Sequence, residues 1–152
     1  MDDILDMIDW ASDISVDTPK KTTINANIPT TRQVIEFTDR YMKDTARFTG
    51  YDASEGALYV LFMLTLAMHP CPSIFSVDSF DHALNPRLAK KMIQVFCEQI
   101  IQNNKHVFLT THNPLVLDGL DLQNDDIRLF AVDRDSNGYA RSGGFLFPGA
   151  DR

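Results

Sequence analysis

The chain has 152 residues, enough for one domain with a real core and too few for two ordinary ones. Hydrophobic residues at 44% and charged residues at 23% are globular values that exclude wholesale disorder. A formal net charge of −7 excludes a broad phosphate-neutralising surface and leaves any DNA contact to other regions.

The two cysteines, Cys71 and Cys97, are too few and too far apart for a disulfide framework or a zinc cluster, and read as reduced thiols. The longest apolar stretch, around Val60 to Ala67, is soon closed by Pro70 and Pro72 and falls short of the ~20 residues a bilayer needs. Met1-Asp2-Asp3 carries no basic leader. The expectation is a cytoplasmic protein, or part of one, with no membrane association.

Asp2 to Ser12 reads as a short amphipathic helix in which Ile4, Leu5, Ile8 and Ala11 share a face. From Ser15 to Thr31 the composition turns to Thr, Asn, Pro and Lys without a period, which reads as a loop or linker with at most one poor strand. Gln33 to Phe37 and Thr45 to Thr49 read as two strands around a polar turn at Arg40 to Asp44. Ser54 or Asp52 then caps a helix over Gly56 to Met68, apolar nearly all round and so expected to be buried on most sides.

Ser73 to Val77 reads as a buried parallel strand ending in Asp78. Asn85-Pro86 is an N-cap followed by proline, and Leu88, Met92, Val95, Phe96 and Ile100 keep helical spacing up to a stop at Asn103-Asn104. His106 to Thr110 is a further short strand, Leu115 to Leu120 a brief helix and Ile127 to Val132 a strand. Ser136-Asn137-Gly138 then turns into Tyr139 to Arg141, and a tail follows from Ser142. Strand, helix and strand over Ser73 to Thr110 form one β-α-β unit. Its carboxyl edge receives Asp78 from one strand and Thr110-Thr111-His112 from the other, where ligands bind in open α/β sheets.

Each element of that edge has chemistry available to it. Mg²⁺ prefers oxygen ligands and bridges nucleotide phosphates, which suits a carboxylate such as Asp78 at a strand end. His112 in the same place could donate a hydrogen bond to a terminal phosphate. Ser54-Glu55-Gly56 opens the apolar helix, where free backbone N–H groups and a hydroxyl suit an anion.

The ordered set also resembles a family. Asp52-Ala53-Ser54-Glu55-Gly56-Ala57-Leu58 resembles the signature motif of ABC-type ATPases in its RecF-like and OLD-like form. Val77-Asp78-Ser79-Phe80-Asp81 resembles their Walker B segment, commonly Ile-Asp-Glu-Pro-Glu. His82-Ala83-Leu84-Asn85-Pro86 is similar to the D-loop that follows, and Thr110-Thr111-His112 to the switch-histidine strand. The resemblance covers about Gln33 to Arg141. It implies an α/β fold: a partial P-loop NTPase sheet of ABC-ATPase type with flanking helices and an added β-hairpin. It implies ATP and Mg²⁺ as ligands of the full-length protein, and ATP-dependent dimerisation of two heads serving DNA repair or phage defence. Catalytic positions would be Asp78, supporting Mg²⁺ through the nucleotide, with Ser79, Asp81 and His112. Ser54, Glu55 and Gly56 would meet nucleotide held by the partner head.

Two departures from that pattern matter. No Gly-x-x-x-x-Gly-Lys-Ser/Thr phosphate loop occurs in the sequence, so tight triphosphate binding in cis has no visible basis. The expectation is therefore the C-terminal half of a longer ATPase, inactive on its own and with no ligand bound, whose missing N-terminal half is its first partner. On this reading 1–31 are an acidic helix and linker, 32–141 the ATPase half and 142–152 a tail. Ser79 also stands where a catalytic glutamate is usual, which keeps a second reading open: a degenerate, nucleotide-gated interaction module with little or no hydrolysis. A third candidate, Asp133-Arg134-Asp135-Ser136-Asn137-Gly138, imitates half a calcium loop or the Asp-x-Asp of a metal-dependent nuclease. Its twelfth position is Gly144 rather than a bidentate glutamate, and Asn137-Gly138 is a hairpin signal.

Overall fold

A computed structural model describes residues 2–18, 33–42 and 47–144. Helix α1 (Asp2–Met7) ends five residues before the Ser12 that helical spacing suggests, and Ala11–Asp17 is strand β1. β1 pairs antiparallel with β2 (Val34–Asp39), which pairs with β3 (Arg47–Thr49). The stretch that reads as a loop from Ser15 therefore begins as a strand, bulged between Ala11 and Asp13. The remainder of that linker, the start of the strand expected at Thr45, and Lys43-Asp44 of the turn lie outside the described residues.

α1 and β1 belong to the same core as the rest: Ile4, Met7, Ile8 and Ala11 are buried with Val60, Met63 and Met92. Trp10 packs on Phe37 and Phe48 at ring distances of 5.6 and 6.1 Å. In β2 the carboxylate of Glu36 is buried but not unpaired, because Arg47 Nη1 stands 3.3 Å from it.

The centre of the molecule is the contact of α2 (Glu55–Met68) with α3 (Pro86–Gln102). Ala57, Val60, Met63, Leu64 and Ala67 of α2 and Ala89, Met92, Ile93, Phe96 and Ile100 of α3 are buried, each large apolar side chain contributing roughly 1.5–3 kcal/mol. α2 is not enclosed on all its other sides: Phe62 is 58% exposed. α3 starts as its sequence dictates, with Asn85 Oδ1 accepting from Leu88 N and Pro86 in the first turn. It stops at Asn103-Asn104, where Asn104 takes φ 51 and Lys105 N returns to Ile100 O.

β4 (Ile74–Val77) and β5 (His106–Leu109) pair in parallel on either side of α3 in sequence, in the register Ile74↔His106 to Val77↔Leu109. The β-α-β unit is as expected, but the strands are not buried on both faces. Phe75, Val77, Val107 and Leu109 pack on the core, while Ile74 and Phe108 remain 63% and 72% exposed. The cause is the two-residue side-chain period of a strand pair covered by helices on one side only.

Lys105 joins these parts. Its buried ammonium donates to the carbonyls of Leu66, His69 and Pro72, and sits 5.7 Å from the Phe75 ring centroid, tying the end of α2 to the start of β4. After β5 comes α4 (Pro114–Leu117), shorter than the helix expected to Leu120. Then β6 (Phe130–Arg134) and β7 (Ala140–Gly144) form a hairpin. β6 starts three residues later than expected, and β7 runs on through Ser142 to Gly144, where the composition reads as a tail. Residues 145–152 lie outside the described part.

Candidate functional site

Ser54 caps α2 with extended backbone (φ −65, ψ 144), its Oγ accepting from Ala57 N at 3.2 Å. Asp52 is engaged elsewhere, accepting from Thr49 Oγ1 at 2.8 Å and closing the turn after β3. The Ser54 hydroxyl proton is left for another acceptor at the positive end of a 14-residue helix. Ser54, Gly56 and Ala57 line a cleft of about 690 Å³ with Asp6 and Asp9 on the α1 side and Arg87 and Lys91 from α3.

Asp78 follows the last residue of β4 and is exposed. The parallel register ends at Val77↔Leu109, and one further bond, Thr110 N to Val77 O at 3.0 Å, sets Asp78 beside Thr110. Thr110 Oγ1 donates to Asp78 Oδ1 and accepts from Ser79 N at 2.9 Å, and Phe80 N reaches Thr110 O. Ser79 takes φ 55, a left-handed conformation uncommon for serine, which turns the chain sharply out of the strand. Phe80 then plunges into the core, fully buried against Phe96 at 5.3 Å. Asp81 comes back to the edge, where Thr111 Oγ1 donates to its Oδ1 at 2.6 Å.

The acidic loop also meets α2. Tyr59 OH donates to Phe80 O at 3.1 Å; burial, and then the nearby Asp81 charge, raise the Tyr59 phenol above its ordinary pKa and keep it a donor. His82 Nε2 lies 3.3 Å from Glu55 Oε1 and its ring sits edge-on to Tyr59. Ala83 (φ 61) brings its carbonyl so close to the first turn of α2 that a Cβ on Gly56 would lie 2.8 Å from it. Glycine at position 56 thus has an internal reason, the close approach of helix and loop.

The structure therefore brings Asp78, Ser79 and Asp81 to one edge with Thr110 and Thr111, and sets the Ser54-Glu55-Gly56 turn against the same loop. His112 follows directly on Thr111, exposed and without a hydrogen-bond or ion-pair partner among the described residues. Thr110, Thr111 and Tyr59 are contributors that sequence reasoning names only as motif neighbours or passes over. The parallel register is the signal that could have placed Thr110 beside Asp78.

Among the described residues no three His, Cys, Asp or Glu side chains converge as a metal cage. One carboxylate supplemented by phosphate oxygens and water is what this edge fits, and that is a common ligand set for Mg²⁺. Asp133 and Asp135 do not imitate it. Asp135 Oδ1 accepts from Asn137 N and Tyr139 N, and its Oδ2 pairs with Arg141, while Asp133 Oδ1 accepts from Arg134 N. With Gly138 at φ 84, they build the β6–β7 turn.

Comparison with known proteins agrees with this architecture. A family model described as "AAA domain, putative AbiEii toxin, Type IV TA system" matches residues 9–118. Among solved structures, a chain from work on the structural biochemistry of ATP-driven dimerization and DNA-stimulated activation of SMC ATPases superposes with a TM-score of 0.60. It is 10% identical, over 95% of this chain and 82% of that one. At that identity the likeness is one of fold: an α/β fold of P-loop NTPase type. No curated protein matches the sequence.

Proposed function

We propose that this chain, which belongs to the AAA domain family matched over residues 9–118, is the carboxyl-side portion of an ATP-binding and ATP-hydrolysing head that acts by ATP-dependent dimerisation. Family membership supports the ATPase class. The observation that carries the reading further is the acid edge: two carboxylates of one strand-end loop, each hydrogen-bonded to a threonine of the next parallel strand, beside the amino end of α2. In this reading the phosphate loop is supplied by sequence outside this chain. RecF-like or OLD-like character, and service in DNA repair or phage defence, belong to the same proposal.

Mg²⁺, when bound with ATP, would neutralise charge on the phosphates. Asp78 would hold it, from the carboxyl end of β4. Asp81 would orient the attacking water, since the Ser79 hydroxyl is a poor base at neutral pH. The free imidazole of His112 would donate to the terminal phosphate. Ser54 Oγ and the backbone N–H groups around Gly56 would meet the phosphate of nucleotide carried by the opposite head, with Glu55 at their side.

One observation favours a second reading, the nucleotide-gated module with little turnover. Ser79 occupies the usual glutamate position, and its left-handed backbone is fixed by its N–H bond to Thr110. Single-turnover hydrolysis by the complete head (this chain with the lobe carrying the phosphate loop) separates the two. A hydrolysing head turns over with Ser79 present and gains little from Ser79→Glu. A degenerate one is nearly inert and gains strongly. A complete head that binds no nucleotide at all refutes both.

A further inference from the structure

We propose that Thr110 and Thr111 are positioning residues, one hydroxyl for each carboxylate of the acidic loop. What the two acids do rests on the ATPase reading above; how they are held does not.

A threonine hydroxyl has one proton to give and two lone pairs to receive with. Thr110 Oγ1 receives Ser79 N–H at 2.9 Å, so its single proton is directed to Asp78 Oδ1. Thr111 Oγ1 receives Asn113 N–H at 3.1 Å, and its proton goes to Asp81 Oδ1 at 2.6 Å. In both cases a backbone N–H occupies the accepting side of the hydroxyl, which fixes the direction of donation. β-Branching restricts χ1, so each oxygen is held with little rotamer freedom. Two consecutive residues of one strand end thus serve two acids three positions apart, across the turn made by Ser79 and Phe80.

The consequence is selective. Oδ1 of each acid is engaged by threonine, while Oδ2 of each has no hydrogen-bond partner among the described residues. Each carboxylate is left with one oriented oxygen for chemistry: Asp78 toward a divalent cation, Asp81 toward a water. Outer-shell partners of this kind, where they have been removed from metal sites, typically cost about 10–100-fold in metal affinity or activity. Valine keeps the shape and stiffness of threonine but loses the hydroxyl; serine keeps the hydroxyl and loses the stiffness. The pair of replacements therefore separates hydrogen bonding from packing.

The test has two arms. In the full chain without nucleotide, amide hydrogen exchange reads the clamps directly. Thr110→Val speeds exchange at Ser79 by about tenfold or more and leaves Asn113 unchanged, Thr111→Val does the reverse, and the two serine variants resemble the parent. In the complete head, Thr110→Val raises the Mg²⁺ concentration for half-maximal ATP turnover about 10–100-fold, more than it lowers kcat. Thr111→Val lowers kcat about tenfold with the Mg²⁺ requirement kept, and each serine variant restores most of the loss. Unchanged exchange in both valine variants overturns the clamps. Altered exchange with unaltered Mg²⁺ requirement and kcat overturns the positioning role. A parental head inert toward Mg·ATP sinks the ATPase reading instead, and the exchange arm alone then decides whether the threonines hold the acids.

Discussion

Gly56→Ala gives a test of sign. Alanine in place of glycine inside a helix ordinarily stabilises by about 0.5–1 kcal/mol, through helix propensity and a less flexible unfolded chain. Here the added Cβ would stand 2.8 Å from Ala83 O, against the roughly 3.3 Å at which a carbon meets a carbonyl oxygen in close sheet contacts. The obstacle is backbone, and it has little room to yield. Ala83 is at φ 61, held between the buried Phe80 on one side and the Asn85 cap of α3 on the other. Overpacking of this kind costs about 1–3 kcal/mol, which outweighs the propensity gain. The expected result is a net loss of ~1–2 kcal/mol, seen as a urea midpoint lowered by ~0.5–1 M at unchanged slope. Gly143→Ala is the control, since a Cβ there meets nothing within 4 Å, and its midpoint should stay near the parent's. A Gly56→Ala protein more stable than the parent would refute the close packing of α2 on the acidic loop.

Lys105→Met keeps the apolar stem but removes the ammonium from three carbonyls. Hydrogen bonds from a charged group are worth ~1.5–3 kcal/mol each, but these share one charge and two of the carbonyls belong to exposed residues that water can serve. The expected loss by chemical denaturation is ~2–4 kcal/mol; less than ~1 would mean Lys105 does not join α2 to β4. Cys97 predicts a pH dependence. Burial first, then the Glu98 charge, push its thiol up to about 11 from an ordinary value of about 9. The folded chain binds that proton more tightly than the unfolded chain, so the stabilisation is whole below about pH 9 and is lost as pH rises through about 11, a fall of ~2–3 kcal/mol. Denaturation curves across that range should flatten in Cys97→Ala; an equally steep decline would assign the effect elsewhere. The raised Tyr59 phenol acts in the same direction, and its share should persist in that variant.

How far the sequence can be read depends on whether the deciding interactions are local. The β4–α3–β5 unit is legible because an apolar run, the Asn85-Pro86 cap and the Asn103-Asn104 stop all act within a few residues of themselves. Asp78 and the Thr110 strand end can be assigned to one edge for the same reason. β1 is hidden because Ile4, Ile8 and Ala11 fit a helical face, while the pairing of Ser15 and Val16 with Glu36 and Ile35 lies about twenty residues away. The exposed faces of β4 and β5 are hidden because an apolar run does not state which of its sides will be covered: Ile74 and Phe75 read alike, and only Phe75 packs on the core. The threonine clamps need both the parallel register and the left-handed turn at Ser79, and the second has no sequence signature in a serine.

The most direct measurement is Mg²⁺-dependent ATP binding by the complete head, by calorimetry, with Asp78 intact and as Asp78→Asn. The parent is expected to bind ATP more tightly with Mg²⁺ than without. Asp78→Asn is expected to lower that gain by about tenfold or more while leaving metal-free binding near the parent's. A variant with the parent's full Mg²⁺ dependence would contradict the assignment of this strand-end acid, and with it the proposal that this edge serves Mg·ATP.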